Sequence, residues 1–271
     1  GRDKNRIGGI TLADGTAFGG TAEGEPLYRY YGYVVDHIIE TQEQADNAMY
    51  DSSAKGYRPS DGKNIAGRKE IGDYEWKNRE GSQTKDGKDY IDSQDQFLLG
   101  YTVPHSTGGL NNNFTYKNFT LNIFVDWALG HSINNNSEMR YFMNTFANNY
   151  TLIDEVKQCW KQPGDNTKYA RFTANDPDDG NANFSRTSNV FNYKGDYLCI
   201  REISLQYNVP TNKLTKLGIQ NLAITLAGNN LHYFTAVKGV SPEVGASTTY
   251  NKDYYNYPPI RKYSVGVKVT F

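Results

Sequence analysis

The sequence predicts an all-β fold built as an antiparallel transmembrane β-barrel, and three observations carry that expectation. The composition is unlike that of an ordinary soluble domain: hydrophobic residues make up 37% of the 271 residues and aromatics 14%, with 22 Tyr and 26 Gly, at a formal net charge of −1. Leu, Ile, Val and Phe together reach only ~20%, the level at which a packed soluble core becomes hard to build, yet the chain carries no excess charge to keep it unfolded. The second observation is a strict period-two alternation of apolar and polar residues over long segments. The third is the unequal length of the connections between those segments.

The alternation is clearest from Phe119. Phe119, Leu121, Ile123, Val125, Trp127 and Leu129 mark one face, and Thr120, Asn122, Phe124, Asp126 and Ala128 the other, ending at Gly130. Phe114 and Tyr116 alternate just before a two-residue break at Lys117-Asn118, which predicts a tight hairpin. Ile203, Leu205, Tyr207 and Val209 repeat the pattern up to Pro210, and Leu222, Ile224 and Leu226 repeat it up to Gly228. Tyr263, Val265, Val267, Val269 and Phe271 close the chain in the same way. Strands of ~9–11 residues, apolar on one face, suit a membrane-spanning barrel. A soluble antiparallel sandwich also alternates, although its strands are usually ~5–6 residues long.

The connections favour the barrel. Short breaks (Lys117-Asn118, and Pro210 to Asn221) alternate with long polar stretches, about His131–Gly195 and His232–Arg261. Short turns at one end and long loops at the other are the asymmetry of outer-membrane barrels. The long stretches are expected on the extracellular side. Weak helical spacing from Met139 to Trp160 allows a short helix inside the first of them. Tyr28, Tyr30, Tyr31 and Tyr33, and again Tyr254, Tyr255 and Tyr257, cluster as interfacial aromatics do.

Several classes are excluded. No run approaches ~18 apolar residues, so a transmembrane helix is not expected. The absence of a basic excess argues against nucleic acid as a partner. The chain starts with Gly and lacks a signal-peptide pattern, which reads as a mature or truncated chain. Cys159 and Cys199 are too few for a disulfide scaffold and are not spaced as metal ligands; one bridge or two free thiols both fit.

The order of the motifs resembles the SusC/RagA family of TonB-dependent outer-membrane transporters, specifically their C-terminal part. Glu25-Pro26-Leu27, Tyr30-Tyr31-Gly32-Tyr33-Val34-Val35-Asp36 and Thr41-Gln42-Glu43-Gln44-Ala45 open the match. Gly72-Asp73-Tyr74, Asp86-Gly87-Lys88 to Ile91-Asp92, Gly100-Tyr101-Thr102-Val103-Pro104 and Gly108-Gly109-Leu110-Asn111-Asn112 continue it, followed by the Phe114–Leu121 hairpin. The most specific stretch runs from Tyr197-Leu198-Cys199-Ile200-Arg201-Glu202 through Val209-Pro210. Leu217-Gly218-Ile219, Leu226 to Leu231, Lys238 to Glu243 and Tyr257-Pro258 onward follow. The resemblance implies a portion of about seven or eight strands of a larger plugged barrel in a Gram-negative outer membrane. It implies import of an oligosaccharide or peptide, a SusD-like surface lipoprotein as partner, and TonB engaged through an N-terminal part not contained in residues 1–271. An unpaired edge on Lys262–Phe271 is therefore expected, in place of a ladder to Gly1–Val35 that would close a small barrel.

Candidate site residues are few. His37, His105, His131 and His232 are scattered and no G-x-S-x-G elbow occurs, so no catalytic site is expected. Asp86, Asp89, Asp92 and Asp95 recur every third residue, whereas a calcium loop needs oxygens at alternate positions and a terminal Glu. A solvated acidic loop accounts for them, with structural calcium as the minor alternative and no other cofactor. Trp160, Tyr233, Tyr250, Asn251, Tyr254, Tyr255 and Tyr257 offer aromatic faces beside planar polar groups, the combination that contacts sugars or peptides.

Overall fold

A computed structural model describes residues 6–12, 16–51, 69–79, 90–143, 152–173, 182–210, 212, 214, 218–243 and 259–271. These fall into two compact units. The sheet unit draws on Val103–His131, Lys194–Val244 and Asn256–Phe271, and the mixed unit on Gly1–Thr102 and Ser132–Tyr193.

The alternating segments form one antiparallel sheet of five long strands: β1 (Ser106–Tyr116), β2 (Phe119–Leu129), β3 (Tyr197–Asn208), β4 (Asn221–Thr235) and β5 (Lys262–Thr270), in that spatial order. Tyr116 pairs with Phe119 across the two-residue turn, where Lys117 adopts φ +53°. Asn208 N donates to Asn118 O at 2.8 Å, so the β1–β2 and β3–β4 turns share one end of the sheet. The long connections leave from the other end, as expected.

The register sorts the side chains onto two faces. Phe119, Leu121, Ile123, Val125 and Trp127 pair with Tyr207, Leu205, Ile203, Ile200 and Leu198. Leu205 continues to Leu226 and Val265. This apolar face is the exposed one, with Leu226 51% and Phe234 56% accessible. The opposite face holds Thr120, Asn122, Asp126, Ser204, Gln206 and Thr225, and its members Ala128, Cys199 and Ala223 are buried. A water-soluble sheet would be arranged the other way round. An apolar face exposed at residues such as Leu226 and Phe234, backed by a polar face that is half-buried to buried on the three central strands, is the arrangement of a barrel wall whose outer solvent is hydrocarbon.

Two local devices keep the wall regular. A bulge at Arg201 shifts the β3 register, because Phe124 pairs with Glu202 while Val125 pairs with Ile200. The odd-numbered Ile203, Leu205 and Tyr207 and the even-numbered Leu198 and Ile200 thereby point to one face. Gly108 and Gly109 leave room for aromatic rings on β2: a Cβ on Gly108 would meet the Trp127 ring at 2.3 Å, and one on Gly109 the Phe124 ring at 3.0 Å.

Five of the seven or eight expected strands thus lie in a common sheet. Among the described residues β5 pairs with β4 alone and β1 with β2 alone, and no ladder joins β5 to the N-terminal segment.

The mixed unit is built from short paired strands, among them Arg29–Gly32 with Phe97–Tyr101 and Val35–Ile38 with Tyr74–Trp76. Its aromatic core gathers Tyr74, Trp76, Phe142, Tyr169, Phe184 and Phe191. The His131–Gly195 connection is long, as expected, and carries structure of its own: helix Asn136–Phe142, the 3₁₀ turn Asp154–Gln158 and most of this core, including Phe142, Tyr169, Phe184 and Phe191. Of the tyrosines grouped as interfacial, Tyr30 is buried, and Tyr33 packs against this core, meeting Trp76 edge-on at 6.1 Å. Tyr254, Tyr255 and Tyr257 lie outside the described residues.

The motifs of the N-terminal third have structural reasons. Thr41 caps helix Gln42–Asn47, its Oγ1 accepting from Gln44 N while Gln44 Oε1 accepts from Thr41 N, a reciprocal capping box. Gly72 (φ +92°) lies under the Trp160 ring, which a Cβ would approach to 2.4 Å. Fully buried Asp73 accepts from Arg171 Nε at 2.6 Å, Asn183 Nδ2 at 3.0 Å and Glu70 N at 2.6 Å. It thereby ties segments about a hundred residues apart.

Candidate ligand-contact sites

The polar face of the sheet unit carries a half-buried charged cluster centred on Arg201. The bulge leaves this side chain on the polar face beside Asp126, where Nε and Nη2 make a two-pronged ion pair with the carboxylate at 2.9 and 2.7 Å. Nη1 donates to Asn230 Oδ1 at 2.9 Å and to Tyr233 Oη at 3.1 Å. Glu243, in the segment after β4, also pairs with Arg201 and accepts from Tyr233 Oη at 3.1 Å. Asn230, at φ +51°, reaches Ile260 O with its own amide. Planar donors and acceptors around one aromatic ring form a surface suited to hydroxyls or peptide amides.

The mixed unit carries a second polar surface. Glu138 lies in the first turn of helix Asn136–Phe142, and its backbone N donates to the Asn135 cap at 3.0 Å. Its carboxylate accepts from Tyr169 Oη at 3.1 Å and Tyr193 Oη at 2.7 Å. Burial, reinforced by the Glu138 charge, pushes both phenols above their ordinary range. The Lys168 ammonium lies 4.8 Å from the Tyr169 ring centre and 5.1 Å from that of Tyr193. Two cavities open here. One, of about 410 Å³, is lined by Asp36, His37, Lys168, Asn192 and Tyr193 among others; the other, of about 490 Å³, by Lys157, Lys161, Asp165 and Lys168 among others.

The residues singled out in sequence are dispersed. Tyr233 belongs to the Arg201 cluster. Trp160 is half-buried over Gly72, with its Nε1 buried and unpaired. Tyr250, Asn251, Tyr254, Tyr255 and Tyr257 lie outside the described residues, as do Asp86 and Asp89. Asp92 and Asp95 cap the 3₁₀ turn Ser93–Asp95: Asp92 accepts from Gln94 N at 2.6 Å, and Asp95 from Arg79 N and Asp92 N, each at 2.8 Å. Among the described residues no three acidic, His or Cys side chains converge as metal ligands. Cys159 and Cys199 are buried free thiols, and burial pushes the Cys159 thiol up to about 12.

Arg201 and Glu243 were not singled out in sequence. The break in alternation between Ile200 and Ile203 is the signal for Arg201. For Glu243 there is none, since its contacts are set by a turn that only the fold displays.

No family model matches the chain. In sequence it is similar to "TonB-dependent receptor P3" of Formosa agariphila, 28% identical over 194 residues, which is 69% of this chain and 18% of that protein. It is also similar to "TonB-dependent receptor P39" of the same organism, 26% identical over 200 residues, covering 70% of this chain and 18% of that one. The chain therefore spans about a fifth of the length of these curated relatives. In fold it resembles the RagAB peptide transporter, with a TM-score of 0.55 at 17% identity over 90% of this chain and 23% of that one. The RagAB peptide importer in its closed-closed state gives 0.54 at 18% identity, over 89% of this chain and 23% of that one. The SusC/RagA-type resemblance that the motif order implied is thus borne out, in sequence by TonB-dependent receptors and in fold by the RagAB transporter.

Proposed function

We propose that the chain is a C-terminal section of the barrel of a Gram-negative outer-membrane, TonB-dependent importer of oligosaccharide or peptide. In this reading it acts with a SusD-like surface lipoprotein, receives TonB's action through a plug elsewhere in the receptor, and carries no catalytic chemistry. The observation that supports it best is the inverted wall: an exposed apolar face on five long strands, backed by a polar face that holds Arg201, Asp126, Asn230 and Tyr233 half-buried on its central strands. The Tyr233 cluster would contribute ligand contacts from the lumen, with Trp160 and the tyrosines of residues 250–257 as further contact candidates. The likeness to receptors named TonB-dependent and to a RagAB peptide transporter supports the same reading.

The test is uptake of labelled peptides and oligosaccharides by cells carrying the full receptor, with and without TonB. TonB-dependent accumulation of one ligand class, together with receptor in the outer-membrane fraction, is the expected result. Receptor in the outer membrane without TonB-dependent accumulation of either class would replace the importer reading with that of a structural or adhesive surface barrel.

A further inference from the structure

We infer that Glu243 is a displaceable stand-in for the carboxylate of an imported ligand, which takes its place on Arg201 Nη2 and Tyr233 Oη. The inference deepens the importer reading and rests on it.

A guanidinium has five N–H donors, and each of those on Arg201 has an acceptor. Nε and Nη2 hold the two oxygens of Asp126 at 2.9 and 2.7 Å, and Nη1 holds Asn230 Oδ1 at 2.9 Å and Tyr233 Oη at 3.1 Å. These four bonds go to β2 and β4, the strands on either side of β3, so the wall itself fixes the guanidinium plane. The Tyr233 ring centre lies 5.8 Å from the guanidinium and is braced edge-on by Tyr197 at 6.0 Å. The fifth N–H, the second on Nη2, goes to Glu243 Oε1, which also accepts from Tyr233 Oη at 3.1 Å. Two donors held by strands thus converge on one carboxylate oxygen, which makes a pre-organised carboxylate receptor.

Glu243 is the member of the cluster that can leave. It belongs to residues 236–243, which form neither strand nor helix, and it uses one oxygen where Asp126 uses two. Its side chain is 29% accessible, against 19% for Asp126. Buried Pro242 and the bond from Glu243 N to Ser241 Oγ at 3.1 Å hold the backbone of the turn, so the exchange needs only rotation of the Glu243 side chain into water. A ligand carboxylate then meets the same two donors and restores the same local charge, leaving no donor of Arg201 unpaired. A neutral amide or hydroxyl gives up the charge-assisted part of both bonds and so competes poorly with Glu243. Peptides and uronic acids both supply such a carboxylate, and the test separates the two sources.

The test uses the full receptor in detergent and four fluorescent probes: a hexapeptide with uncharged side chains and a free C-terminal carboxylate, its C-terminal amide, a trigalacturonate and a neutral maltotriose. The peptide acid or the trigalacturonate should bind more tightly than its uncharged counterpart, and whichever does identifies the source. Glu243→Ala should tighten that probe about two- to fivefold, the competition expected of one partly exposed ion pair, and should change the uncharged probes by less. Glu243→Gln keeps the size of the side chain and should act in the same direction, which covers a failure of Glu243→Ala to fold. Adding Arg201→Lys, which keeps the charge but removes the forked donor, should abolish the gain. Unchanged heat-modifiability on gels shows that each variant folds. No preference for either charged probe, or folded Glu243 variants that bind no carboxylate more tightly than the parent, overturns the inference and makes Glu243 a structural clasp. If TonB-dependent uptake persists with that result, the Glu243 assignment fails alone. If the Glu243 variants tighten carboxylate binding without TonB-dependent uptake, the importer reading fails alone.

Discussion

Replacing Leu226 by Lys separates a barrel wall from a soluble sheet by the sign and size of its effect. Leu226 lies on β4 between Leu205 and Val265 on the bare face and is 51% accessible. In water, a charge at so open a position should change stability by no more than about 0.5 kcal/mol. In a bilayer the outcome depends on depth. Eleven residues of β2 at ~3.4 Å each, tilted ~35–45°, rise about 26–31 Å, close to the hydrocarbon thickness. The middle of that band is the row of Ile123 and Ile203, and the row of Leu121, Leu205 and Leu226 lies one pair from it. A lysine costs ~2–4 kcal/mol at the midplane and ~0–1 near the interface, so Leu226→Lys should cost about 2 kcal/mol. That corresponds to roughly thirtyfold in the folded-to-unfolded ratio, or a urea midpoint shift of about 1 M at typical slopes. Gln206→Lys, on the polar face beside Thr225, is the control and should cost less than about 1 kcal/mol. The assay is urea unfolding of the full receptor in lipid vesicles, followed by tryptophan fluorescence. Equal midpoints for Leu226→Lys and the parent, with loss at Gln206→Lys, would refute the assignment of faces.

Other outcomes follow from the same geometry. Gly108→Ala drives a methyl group into the Trp127 ring and should cost about 1–3 kcal/mol with a change in Trp emission; an unchanged spectrum and midpoint would mean the ring is not seated there. Asp73→Ala removes the acceptor of Arg171 and Asn183 and should cost the mixed unit about 1.5–3 kcal/mol, read by near-ultraviolet circular dichroism, whereas a loss under about 0.5 kcal/mol would refute the tie. The Cys159 thiol is raised from 9.0 to about 12, so its contribution is complete below pH 9 and is lost as pH rises toward 12. The raised phenols of Tyr169 and Tyr193 act in the same direction. Stability of the mixed unit should therefore fall from about pH 9 upward, with the Cys159 thiolate absent at pH 9–10 in ultraviolet absorbance difference spectra of a Cys199→Ser protein; titration of Cys159 near pH 9 would contradict its burial.

The wall was legible along the chain because period-two alternation acts locally: each residue pair states which face it prefers, and Leu121, Ile123 and Val125 need no distant partner to do so. Turn position followed for the same reason, since Lys117-Asn118 interrupts two alternating runs. The bulge was half-legible. Leu198 and Ile200 fall out of phase with Ile203 and Leu205, but the alternation starting at Ile203 hides the slip unless both runs are laid side by side. The His131–Gly195 part of the mixed unit reads as a long loop with a short helix, because the core it joins is assembled from single aromatic residues spread between Tyr74 and Phe191, with no period to announce them. The ties that shape the sites also span the chain. Asp73 meets Arg171 and Asn183, Glu138 meets Tyr169 and Tyr193, and Arg201 meets Asp126 and Glu243. Such long-range hydrogen bonds form only once the backbone has closed the intervening loops, and no local spacing encodes them. Alternation alone determined which residues face outward; only the tertiary structure decided which charged residues meet, because that depends on chain closure and not on neighbours in sequence.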